Sequence, residues 1–115
     1  MCSQSELNKL LSAFVAKSQE HFGSSLKGVI LFGSYARGDF DDESDVDIAL
    51  LFDIPREKES SLNATIADIV SEIDEQFGYS MLISPLVISD SFFQEWKNTL
   101  PFYKNLIKEG IQLSA

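Results

Sequence analysis

Cysteine, histidine and basic side chains are scarce in this chain, and each shortage removes a class of protein. Cys2 is the one cysteine among 115 residues, so neither an intrachain disulfide nor a cysteine-held zinc can form, and a reducing cytoplasm is the expected setting. His21 is the one histidine; serine- and cysteine-type triads therefore lack their base, and a histidine metal cluster is excluded. Nine Lys and Arg stand against eighteen Asp and Glu, a net charge of −9. Free nucleic acid or an anionic membrane is repelled over most of such a surface, and a basic partner is attracted. Long apolar runs are missing too. The longest, Ile48 to Phe52, has five residues, where a bilayer-spanning helix needs about 20. The opening Met1-Cys2-Ser3-Gln4-Ser5-Glu6 lacks the basic-then-apolar order of a secretory signal.

The length allows one compact core and leaves no room for a separate recognition domain, so a single domain over residues 1–115 is expected. Ser3 to Glu6 reads as a capping box, and Leu7, Leu10, Leu11, Phe14, Val15 and Phe22 follow at helical spacing, giving a helix from about Ser5 to Phe22. Gly28 to Phe32 is short, apolar and β-branched, as a buried strand is. A polar loop is expected from Gly33 to Ser44, then a strand from Asp45 to Phe52 whose start is wet and whose remainder is buried. After Pro55, the stripe Leu62, Ile66, Ile69, Val70, Ile73 and Phe77 marks a helix that Gly78 ends. Tyr79 to Ser89 reads as a third strand, with Pro85 implying an edge or a bend. Ser89-Asp90 caps a short helix through Trp96, and Leu100-Pro101 opens a last one that Gly110 closes. The fold class is α/β (α+β), a small mixed sheet flanked by helices.

Two short motifs carry chemistry. Gly33-Ser34 directly follows a buried strand, where a glycine and a small hydroxyl residue let backbone N–H groups approach a phosphate. Alone, such a pair is ordinary turn chemistry. Asp45 and Asp47 are two apart on a strand, so their carboxylates share a face roughly 6 to 7 Å apart, within reach of a common hydrated Mg²⁺. Half of the acids fall within residues 39–59, either a solvated loop or a cation site. Arg37 can donate to phosphate in a fork, or it can pair with Asp39 or a neighbouring acid. Gly38 permits a tight turn. Phe92, Phe93, Trp96, Phe102 and Tyr103 read as core and helix packing. Tyr35 reads as a packed ring or a flank to whatever the Gly33-Ser34 turn binds.

Leu31 to Asp39 (Leu-Phe-Gly-Ser-Tyr-Ala-Arg-Gly-Asp) through Ser44 to Leu50 (Ser-Asp-Val-Asp-Ile-Ala-Leu) resembles the signature of the polymerase-beta-type nucleotidyltransferases. In particular, it resembles the minimal nucleotidyltransferases of prokaryotic HEPN–MNT toxin–antitoxin pairs. Leu82 to Pro85 and Leu100 to Gly110 resemble that group's ending. The resemblance implies the nucleotidyltransferase fold, with Asp45 and Asp47 as catalytic residues and Mg²⁺ ligands. Gly33, Ser34 and Arg37 then bind the nucleotide, with ATP as substrate and a HEPN-domain toxin as partner, AMP passing to a tyrosine hydroxyl. It also implies a third carboxylate on the later strand. Ser80 stands at that aligned position, and serine is neither an anionic ligand nor a base at neutral pH. An antitoxin that neutralises its partner by binding alone is the alternative. An antibiotic or RNA nucleotidyltransferase fits less well, since both need further substrate-binding elements.

Overall fold

The computed structural model describes residues 4–114; Cys2 and the Ser3 of the expected capping box lie outside them. Helix α1 (Gln4–Phe22) leads through a 3-10 turn into strand β1 (Leu26–Phe32), which runs into the short helix α2 (Gly33–Arg37). Strand β2 (Val46–Phe52) precedes a run of 3-10 turns (Arg56–Leu62) and helix α3 (Asn63–Gln76). Strand β3 (Ile83–Ser89), helices α4 (Asp90–Trp96) and α5 (Pro101–Glu109) and strand β4 (Ile111–Ser114) complete the order. The sheet order is β3-β2-β1-β4, with β1 antiparallel to both β2 and β4, and β2 parallel to β3. This is the expected mixed sheet flanked by helices.

Alternation along β2 sorts the core onto two sides of the sheet. Val46, Ile48, Leu50 and Phe52 pack with Leu10 and Phe14 of α1 and with Ile66, Ile69 and Ile73 of α3. Ala49 and Leu51 pack with Phe93 of α4 and with Tyr103 and Leu106 of α5. Asp47 shares the Ala49 and Leu51 side by the period of two, so it opens beside α5. Helices on both faces explain why β2 turns wholly apolar after Asp47. Pro85 falls on β3, an edge strand, where its missing N–H costs no ladder bond.

Four departures from the expected elements appear. The stretch after Gly33 is helix to Arg37, closed by Gly38 at φ 87° with its N–H on the Ser34 carbonyl. The third strand starts at Ile83 and not at Tyr79, because Gly78 and Tyr79 both take left-handed conformations (φ 66° and 58°) that end α3 in a tight turn. The final strand β4 was not expected at all. β2 itself begins at Val46, one residue after Asp45.

Candidate active site

Gly33 and Asp47 meet at the point where β1 gives way to α2. Phe32 pairs with Asp47 across the sheet, and the next residue, Gly33, bends at φ 73°. A Cβ on Gly33 would overlap the Asp47 carboxylate oxygen Oδ2. Glycine is thus required twice, by conformation and by the carboxylate packed against it. A cleft of ≈ 360 Å³ opens here, lined by Gly33, Ser34, Arg37 and Asp47 on one side and by Phe102, Asn105 and Glu109 of α5 on the other. Four of the five site residues read from the sequence therefore surround one cavity.

Asp45, the fifth, lies exposed and outside the cleft lining. Its approach to β2 is set by Asp41, whose Oδ1 accepts the Glu43 N–H at 2.9 Å and whose carbonyl accepts the Ser44 N–H at 3.2 Å. Burial, then the charge of Asp45, holds the Asp47 carboxyl above the ordinary aspartate value, against the pull of Arg37. The charge of Asp45 therefore reaches the Asp47 carboxylate. Two hard oxygen donors in mutual repulsion fit Mg²⁺, which takes one or two protein carboxylates and completes its octahedron with water and phosphate oxygens. Among the described residues, no group of three or more His, Cys, Asp or Glu is placed to hold a metal.

Arg37 is held from two sides. Its Nε donates to Asp39 Oδ2 at 3.2 Å, and its guanidinium lies 3.6 Å from Glu109 Oε2. The Asp39 bond, and then that carboxylate's charge, raises its pKa further. The acid pairing anticipated from the sequence is therefore present, and the guanidinium still lines the cleft. Tyr35 is a packed ring, buried and stacked on Phe40 with centroids 4.3 Å apart. Of the C-terminal aromatics, Phe93 and Tyr103 are buried, whereas Phe102 and Trp96 stay exposed.

Ser80 sits in the turn before β3, its hydroxyl donating to the Phe77 carbonyl at 3.0 Å. The β3 residue in register with Asp47 is Ser84, so the strand position beside the acids also carries a hydroxyl. Sequence reasoning missed Asp74. It is buried on α3, its Oδ1 accepts the Ile83 N–H at 3.3 Å, and burial raises its pKa, with the Ile83 bond opposing and Asp45 adding to the rise. The signal was a lone acid beside Ile73, four residues after Val70 and three before Phe77, on an otherwise apolar stripe.

A family model described as nucleotidyltransferase domain matches residues 7–112. Two proteins of Methanocaldococcus jannaschii named as protein adenylyltransferases are similar to this chain. One is 30% identical over 102 residues, 89% of this chain and 92% of its own length. The other is 38% identical over 98 residues, 81% of this chain and 94% of its own length. A solved structure described as a minimal nucleotidyltransferase superposes with a TM-score of 0.60 at 20% identity, covering 96% of this chain and 95% of that one. A toxin–antitoxin structure with AMP-PNP superposes with a TM-score of 0.50 at 16% identity, covering 87% of this chain and 69% of that one. At those identities the superpositions speak to the fold alone.

Proposed function

Since the chain belongs to the nucleotidyltransferase domain family, we propose that it is a Mg²⁺-dependent antitoxin that transfers AMP from ATP to a tyrosine hydroxyl of a cognate HEPN toxin. The observation that carries this reading is the contact between Gly33 and the Asp47 carboxylate. It makes the phosphate-binding corner and the metal-binding acid one continuous surface. The names of the M. jannaschii relatives support protein as the acceptor, and the AMP-PNP in a similarly folded toxin–antitoxin structure supports an adenine nucleotide.

Gly33 and Ser34 hold the outer phosphates, and Arg37 exchanges one of its two acidic partners for a phosphate oxygen. Asp45 and Asp47 would hold Mg²⁺, which would supply neutralisation of charge on the triphosphate. The acceptor oxygen forms a bond to the α-phosphorus as the bond to the β-phosphate breaks. Pyrophosphate leaves, and the hydroxyl proton passes to solvent. Incubating the chain with α-labelled ATP, Mg²⁺ and the purified toxin is expected to label the toxin, and the Asp45→Asn, Asp47→Asn double variant is expected to abolish labelling. A labelled toxin in that variant would refute the assignment.

A second reading, neutralisation by binding alone, is favoured by one observation: Ser80 turns to a backbone carbonyl and Ser84 stands beside Asp47, so neither position offers a base. Under it, Ser80→Asp or Ser84→Asp raises AMP transfer. If the wild type already transfers at the rate of these variants, the reading loses its support.

A further inference from the structure

The second cavity of this side of the sheet lies behind α5, and its surroundings invert the charge of the molecule. It measures ≈ 320 Å³, with Ile30, Leu51, Phe93 and Leu106 at its base and Lys27 and Lys97 at its lip. Residues 97–108 hold three of the nine cations and no acid, in a chain whose net charge is −9. Among the described residues, Lys27, Lys97, Lys104 and Lys108 enter no ion pair. Lys97 Nζ donates to Gln94 Oε1 at 2.8 Å, and Gln94 Nε2 donates to Asp90 Oδ1 at 3.2 Å, so the one acid of the cavity is already engaged.

Apolar surface accompanies the charge. Ile107, at the cavity mouth, is 49% exposed. On α5, Lys104, Ile107 and Lys108 fall at i, i+3 and i+4, one stripe of the helix. A large exposed apolar side chain ringed by unpaired lysines beside an apolar hollow is suited to an acidic, amphipathic protein segment. The hollow and Ile107 offer nothing to a phosphate backbone, which the acidic remainder of the surface repels.

We propose that this face docks an acidic amphipathic segment of the protein partner. An apolar side chain of that segment fills the cavity, and its carboxylates meet Lys27, Lys97 and the α5 lysines. The inference rests on the reading that the chain works on a protein. Leu106 lines both this cavity and the nucleotide cleft, so a docked partner lies about one helix diameter, 10–12 Å, from the site of transfer.

The test is calorimetric titration of the purified cognate toxin. Ile107→Glu and Lys97→Glu are each expected to raise Kd about tenfold or more, with unchanged melting curves. Lys9→Glu on α1 is expected to stay within about twofold. The Asp45→Asn, Asp47→Asn variant should bind the toxin as the wild type does while transferring nothing, so a failure of catalysis appears in labelling and a failure of docking appears in Kd. Wild-type affinity in both Ile107→Glu and Lys97→Glu overturns the proposal. So does an absence of toxin binding by the wild-type chain, or binding of a short oligouridylate that Lys97→Glu abolishes.

Discussion

At Gly33 the cost of a single methyl group separates backbone strain from site geometry. Gly33 and Gly38 both hold positive φ, yet a Cβ at Gly38 meets nothing within 4 Å while one at Gly33 overlaps Asp47. Gly38→Ala should therefore lose about 1 kcal/mol from conformation alone. Gly33→Ala should lose about 2–4 kcal/mol and also displace the carboxylate. Urea melts separate the two costs, and Mg²⁺–ATP titration should show weakened binding in Gly33→Ala and near-normal binding in Gly38→Ala. Asp47 itself opposes folding at neutral pH. Its folded pKa is raised, so the native state binds protons more readily than the unfolded chain, and stability falls as pH rises above the ordinary aspartate range. Asp47→Asn should consequently raise the melting temperature at pH 7 in EDTA. The gain should fade as pH falls below the unfolded aspartate pKa, where wild-type Asp47 is neutral in both states. An unchanged difference between pH 7 and pH 3 would contradict this account.

Strand β4 shows how an element can depend on a residue outside it. Gly110 has an ordinary φ of −72°, so its need for glycine is spatial: a Cβ would run into the Leu106 carbonyl and Ile30 Cγ2. The expectation that Gly110 closes the last helix holds, since its N–H bonds to Leu106 at 2.9 Å. Closure by close approach then lets the chain turn back along β1. Gly110→Ala should destabilise the protein by about 1–3 kcal/mol. Successive amides of β1 point alternately to β2 and β4, so exchange should rise more at the β1 amides that point to β4 than at Ile48 or Leu50. Four residues, Ile111 to Ser114, give too short an alternation to announce a strand. Helix α2 was hidden differently: its five residues show no apolar period, and the anchoring of Tyr35 in the core makes it helical.

Over the whole molecule, charge is segregated. Half the acids fall within residues 39–59, while residues 97–108 carry only cations. The net charge of −9 makes the compact state self-repelling, and salt screens that repulsion. Raising NaCl from 10 mM to 150 mM should therefore raise the melting temperature, and a calorimetric scan that shows a fall would indicate that attractive pairs dominate. No helix among the described residues is long and apolar enough to cross a membrane.

Periodicity and spacing in the sequence determined the helices α1, α3 and α5, the strands β1 and β2, and the place of Pro85 at an edge or a bend. These are local properties, written in neighbouring side chains. Tertiary structure alone decided that Asp47 fills the space a Gly33 side chain would need, that Glu109 reaches Arg37 from α5, that Asp74 is buried within the field of Asp45, and that β4 joins the sheet. Each of these brings together residues far apart in the chain, where pattern carries no distance and only packing does.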